Sequence, residues 1–251
     1  MSTLLVLDLD DTLYPERDYV MSGFASVGRW LERALGVVGF AGRASEAFNA
    51  GTRGNTFDLV LSDMGVVTTP ELIATLVGIY RSHSPRIALY QDAEWCLQHV
   101  GRGVDLGLLT DGYLNGQQSK VNALGIASRF RTIVYSDELG RESWKPSRTP
   151  YLEMMRRTGY SGPDCVYVAD NPEKDFLPAR ELGWMTIRIR RPDGIHATLE
   201  PAPGYEPHLE VDTLILLDAA IAACRDGAAR MNPVGTGLFP SVSGNHPANL
   251  P

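Results

Sequence analysis

Thr3-Leu4-Leu5-Val6-Leu7-Asp8-Leu9-Asp10-Asp11-Thr12 decides how the rest of the chain is read. The run from Thr3 to Leu9 is continuously apolar and ends in carboxylates. That pattern belongs to a strand buried on both faces, as in a parallel sheet. Similar runs recur at residues 104–109 (VDLGLL), 132–135 (TIVY), 165–169 (CVYVA) and 185–189 (MTIRI), with a last short one at 208–211. Helical spacing occupies residues 92–100, 116–124, 150–157 and 174–182, and an apolar helix follows at 213–224. Strands alternating with helices of this length build right-handed βαβ units. The expected fold is α/β, a Rossmann-like parallel sheet covered by helices on both faces.

One interval breaks the alternation. Between residues 15 and 90 no buried strand follows the first. Amphipathic stretches at 19–35, 43–49, 57–63 and 70–81 take its place, with Thr69-Pro70-Glu71 as a helix start. An insertion this long exceeds any ordinary connecting loop. It reads as an inserted α-helical cap over the carboxyl ends of the strands, where open α/β sheets bind ligands. The expected organisation is a core of residues 1–14 and 91–226, a cap of residues 15–90, and a flexible tail at 227–251, where Gly, Pro, Ser and Asn take over.

The 251 residues carry a net charge of −7, which argues against a nucleic-acid backbone or an anionic membrane surface as partner. Cys96, Cys165 and Cys224 form no CxxC pair and no disulfide framework, which suits a reducing compartment. The first apolar run is too short for a signal sequence, and no stretch approaches the roughly 20 apolar residues that span a bilayer. A cytoplasmic protein, monomer or homodimer, is expected. Only three of the 23 basic residues are lysines (Lys120, Lys145 and Lys174), so a lysine at a strand end carries unusual weight.

Chemistry-bearing residues follow the strands. Asp8 and Asp10 close the first run; in an extended chain they point the same way. Two carboxylates at a buried strand end are expensive without a proton or a cation between them, and a hard divalent ion such as Mg2+ is the usual compensation. Thr110-Asp111-Gly112 follows the second run, offering a hydroxyl and free backbone N–H groups to a phosphate-sized anion, though an ordinary N-cap turn has the same composition. Lys145-Pro146 follows the third run, and Asp170-Asn171-Pro172 through Asp175 the fourth. Asp170 stands at the strand tip with Asp175 about one helical turn further on. Each cluster alone also fits a solvated turn or helix start. Four of them on successive tips of one sheet edge point to a single site.

These motifs resemble those of the haloacid dehalogenase-like (HAD) hydrolases. The likeness covers roughly residues 3–224, from Asp8–Tyr14 through Thr110–Gly112 and Lys145-Pro146 to Asp170–Asp175. The stretch Gln117–Lys120 through Phe130, with Ser136-Asp137-Glu138, resembles members whose small helical cap follows the first strand. The resemblance implies a Mg2+-dependent phosphatase working through an aspartyl-phosphate. Asp8 would be the nucleophile and Asp10 the acid and base. Mg2+ would sit on Asp8, Asp170 and the Asp10 carbonyl. Thr110, Asp111, Gly112 and Lys145 would bind phosphate, with Asn171 and Asp175 supporting from behind. Asp10 favours phosphoryl transfer, because halide displacement needs no protonated leaving group. The expected substrate is a small phosphorylated metabolite, a sugar phosphate ahead of a nucleoside monophosphate. A phosphomutase is the alternative; a dehalogenase or a non-catalytic binding protein ranks lower. The loop of residues 140–144 runs a residue or two longer than the common family pattern, and Ala169 replaces the usual glycine. That loop and residues 188–196 (RIRRPDGIH) are expected at the pocket rim.

Overall fold

The computed structural model describes residues 3–99 and 104–225, so the expected tail at 227–251 lies outside the described residues. These residues divide into two compact units: a sheet unit, comprising the chain up to Glu16, Ala88–Leu114 and everything from Gly125, and a helical unit of Arg17–Ile87 with Asn115–Leu124. Residues 115–124, expected in the core, thus group with the inserted helices.

The sheet unit is built on β1 (Leu4–Leu7), β2 (Asp105–Thr110), β3 (Thr132–Tyr135), β4 (Cys165–Ala169), β5 (Met185–Ile189) and β6 (Leu209–Val211). All neighbouring strands pair in parallel, in the order β3-β2-β1-β4-β5-β6. This is the doubly wound order, in which the strand order reverses at β1 and ligands collect beyond the strands' carboxyl ends. β1 is buried at every position, as its uninterrupted apolar run requires. On one face Leu4, Val6, Leu109, Val134, Cys165, Tyr167 and Ala169 pack with Tyr151 and Met154 of α7 (Thr149–Thr158) and Phe176 and Ala179 of α8 (Phe176–Glu181). Gly107 is glycine because a Cβ there would lie 3.0 Å from the Met154 sulfur and 3.2 Å from Val6. α5 (Gln91–His99) and α9 (Leu217–Arg225) complete the unit's longer helices.

The helical unit holds α1 (Glu16–Leu35), α2 (Phe40–Asn49), α3 (Thr56–Asp63) and α4 (Pro70–Ser82), joined by α6 (Leu114–Leu124) from Asn115 on. Val20, Phe24, Val27 and Leu31 recur at helical spacing and bury one side of α1. Phe24 meets Phe48 and Phe57 edge-on, each at 6.2 Å between ring centres, an arrangement favoured by the ring quadrupoles. The Thr69 hydroxyl accepts the Leu72 N–H at 3.2 Å, with Pro70 opening α4 as expected. Lys120 of α6 sits 4.3 Å from the Tyr19 ring centre. Among the described residues no helix is long and apolar enough to cross a membrane.

Candidate active site

β1 is shorter than the apolar run predicts. It ends at Leu7, and Asp8 only continues the ladder by donating its N–H to Val168 at 2.9 Å. The chain then turns, with the Leu13 N–H on the Leu9 carbonyl at 3.0 Å and Asp11 at a positive φ of 49°. Asp8 and Asp10 are therefore not alternate residues of one extended strand, and the strand-periodicity argument for their common direction does not hold. Asp10 is half-buried, and its carboxylate accepts the Tyr14 hydroxyl.

Lys145 is the centre of the site. Its ammonium donates to Asp8 at 2.7 Å, to Asp175 at 2.6 Å and to the Tyr167 hydroxyl at 2.9 Å, and all four residues are buried. The longer loop of residues 140–144 does not keep Lys145 from this position. Burial alone would lower the lysine's pKa, but Asp175 and Asp8 win and hold it well above the ordinary range. Asp175 spends both oxygens on this scaffold, since its second one accepts the Asn171 N–H at 3.1 Å. The Tyr151 hydroxyl holds the Asp175 carbonyl at 2.8 Å.

Asp111 serves Lys145 too. One of its oxygens accepts the Lys145 N–H at 3.0 Å and the Ser136 hydroxyl at 2.6 Å, and the other takes Lys174 at 3.2 Å. Burial works to raise its pKa, but Lys145 and Lys174 outweigh it and the carboxyl lies below its usual range. Its carboxylate is thus committed to protein donors and cannot face a phosphate; the strand-end backbone around it is what remains for an anion. Thr110 is buried at the end of β2, and Gly112 follows with a φ of 125°.

Asp170 lies just past Ala169, and the β1–β4 register puts Leu7 opposite Val168, so Asp8 and Asp170 stand at neighbouring tips. Parallel strands run about 4.8 Å apart. Asp170 is 7% exposed, and no described residue donates a hydrogen bond to its carboxylate. Burial pushes its pKa well up, and the charges of Asp175 and Asp8 push further. Burial likewise raises Asp8, with Asp175 adding, to about 7 against the pull of Lys145. Two buried carboxylates at neighbouring strand tips that resist ionising together offer hard oxygen donors that fit a divalent cation such as Mg2+. Among the described residues no three His, Cys, Asp or Glu side chains form a metal cluster, so a cation here would complete its shell with other oxygens, backbone carbonyls or waters.

Asn171 is buried. Its side-chain oxygen accepts the Glu173 N–H at 2.9 Å and its Nδ2 lies 3.1 Å from His196 Nε2. Within residues 188–196 Arg188 and Arg191 are buried, Gly194, Ile195 and His196 are half-buried, and Pro192 and Asp193 are exposed; Arg188, Gly194 and His196 line a small pocket together with Asp170. Four residues near the site went unassigned from sequence. Lys174 was open to the same rarity argument as Lys145. Tyr167, Asp11 and Arg188 carry no individual signal in sequence, because Lys145, Ile195 and Asp170, which they meet, come from other strands and loops.

A doubly wound parallel sheet whose central tips gather buried carboxylates around one lysine defines an α/β enzyme with an acidic centre. A model of the haloacid dehalogenase-like hydrolases matches residues 5–189, and the chain belongs to that family. The glyceraldehyde 3-phosphate phosphatase of Methanopyrus kandleri is 31% identical over 224 residues, 84% of this chain and 94% of that protein. The enzyme of the same name from Methanocaldococcus jannaschii is 29% identical over 199 residues, 74% of this chain and 83% of its own. Among solved structures, the HAD-hydrolase YfnB of Bacillus subtilis shares the fold with a TM-score of 0.65 at 18% identity, covering 88% of this chain and 98% of its own.

Proposed function

We propose that the chain is a phosphatase that hydrolyses a small sugar phosphate through an aspartyl-phosphate on Asp8. The observation that carries this reading is the Lys145 ammonium held between Asp8 and Asp175. A cation fixed against a buried carboxylate lets that carboxylate approach a phosphoryl group of the same charge. Several phosphatase relatives align over most of their length; those of Methanopyrus kandleri and Methanocaldococcus jannaschii favour a phosphorylated three-carbon sugar over a nucleoside monophosphate.

An Asp8 oxygen attacks phosphorus, and the bond from phosphorus to the ester oxygen breaks. Asp10 gives its proton to the departing alkoxide, then takes one from the water that attacks the phosphoaspartate. The new phosphorus–oxygen bond releases inorganic phosphate and restores the Asp8 carboxylate. Thr110 and the N–H groups around Gly112 hold the non-bridging oxygens. Asp175 and Asp111 keep Lys145 in place. A bound Mg2+, held by the Asp8 and Asp170 carboxylates and the Asp10 carbonyl, would offset the charge of nucleophile and phosphoryl group together. The protein works in the cytoplasm as a monomer or homodimer.

Phosphate release from glyceraldehyde 3-phosphate, from a panel of sugar phosphates and from nucleoside monophosphates tests the reading. Turnover is expected on the sugar phosphates. No free phosphate from any of them overturns it, and an isomeric phosphate ester as product would establish a phosphomutase instead.

A further inference from the structure

One segment outside these roles touches both halves of the acidic centre. Arg188 of β5 is 1% exposed and pairs in register with Ala169, the residue before Asp170. Its Nε–H donates to the Asp170 carbonyl at 3.1 Å, and Nη2 donates to the His196 carbonyl at 2.8 Å. Nη1 lies 3.5 Å from the Glu210 carboxylate and makes no hydrogen bond. A buried guanidinium is costly to desolvate, and strand formation does not require one. Its neighbours Ile187 and Ile189 are fully buried apolar residues of the ordinary kind.

The loop after β5 then reaches the turn that follows Asp8. The Ile195 N–H donates to Asp11 at 2.6 Å, and Arg191 donates to the Thr12 carbonyl at 2.8 Å and to Asp92 at 2.7 Å. Asp11 holds the left-handed φ of 49°, which a residue with a side chain rarely adopts, and its other oxygen takes the Glu16 N–H at 2.8 Å. Position 194 carries glycine where a Cβ would sit 3.2 Å from the Arg191 carbonyl and 3.5 Å from the Asp11 carboxylate.

We infer that residues 188–196 are a brace that sets the spacing between Asp170 and the turn that carries the Asp10 carbonyl. Arg188 fixes the peptide that carries Asp170. Ile195 and Arg191 fix the turn that carries the Asp10 carbonyl. Arg188 is a positioning residue whose planar fork reaches two carbonyls from two separate nitrogens in a fixed geometry, where a lysine offers a single donor atom on a flexible stem. The inference rests on the proposed reading of those oxygens as ligands of a divalent cation.

Melting of the full chain without substrate, titrated with MgCl2 alone, tests it. In wild type, Mg2+ raises the melting temperature by mass action. In Arg188→Met the half-saturating Mg2+ concentration rises about 10-fold or more, while the metal-free melting temperature moves by no more than about 3 °C. kcat at saturating Mg2+ returns to within about threefold of wild type, because only occupancy is weakened. Arg188→Lys falls between the two, and Arg180→Met, which removes an outer ion pair with Glu206, leaves the Mg2+ response unchanged. A half-saturating concentration within twofold of wild type in Arg188→Met overturns the brace. Should that variant fail to fold, an unchanged value in Arg188→Lys does the same. A wild type that ignores Mg2+ overturns the cation reading itself, and the brace with it.

Discussion

Asp8→Asn separates chemistry from stability. Burial first, and the Asp175 charge second, push the Asp8 carboxyl from the ordinary 3.8 up to about 7. A carboxyl that holds its proton more tightly folded than unfolded favours the fold at low pH. Stability then falls as pH rises from about 4 to about 7, and the penalty is constant above that. At ~1.4 kcal/mol per pH interval of one, the full penalty is ~4 kcal/mol. Asparagine keeps the shape and removes the charge, but it brings a buried amide donor whose burial without a partner costs ~1–3 kcal/mol. Lys145 still has Asp175 and Tyr167. The metal-free variant should therefore be ~1–3 kcal/mol more stable than wild type at pH 8, an increase of ~2–8 °C in melting temperature. The gain should be smaller by ~3 kcal/mol at pH 5, because folded Asp8 is protonated there and the penalty grows only as pH rises from about 4 to about 7. Turnover, by contrast, should drop on the order of 10^4-fold or more, since no nucleophile remains. Thermal unfolding in EDTA at both pH values, with phosphate release measured on the same preparations, gives the comparison. A variant that melts below wild type at pH 8, or by the same margin at both pH values, refutes the electrostatic reasoning. Retained hydrolysis refutes the nucleophile.

Three further outcomes are expected. EDTA should abolish phosphate release and MgCl2 restore it; turnover that persists through dialysis against EDTA counts against the cation. Lys145→Met strands the Asp175 and Asp8 carboxylates in the interior, which should cost ~3–5 kcal/mol at pH 8 and much less at pH 5, read from urea midpoints. A pH-independent loss would mean that packing, not charge, holds the site. Gly107→Ala brings a Cβ to 3.0 Å from the Met154 sulfur and should cost ~1–2 kcal/mol, with the Mg2+ response intact, because the crowding lies inside the sheet unit's core. Unchanged stability there would show that the Met154 side chain simply moves aside.

Much of the fold was legible. Strands 132–135, 165–169 and 185–189 match the apolar runs residue for residue; β4 and β5 are buried almost throughout, which leaves little choice of side chain, while the edge strand β3 buries only Val134. Boundaries near the site were read less well. The predicted helix at 174–182 opens only at Phe176, because Lys174 and Asp175 are drawn into contacts with Asp111 and Lys145 instead of opening a helix. β1 stops before Asp8 for a related reason, as residues 8–14 turn to place carboxylates and carbonyls. The long insertion announced its helices through spacing, but nothing local indicated that residues 115–124 would group with them.

Composition and periodicity thus carried the architecture, the strand-tip location of the site and the identity of most of its acids, because burial leaves its record in each segment's own residues. The pairing of Lys145 with Asp8 across 137 positions, the diversion of Asp111 to scaffolding, and the grip of Arg188 on the Asp170 peptide had to await the folded molecule. Those contacts depend on where separate strands converge, and a charged side chain looks the same in sequence whether it meets water or another charge.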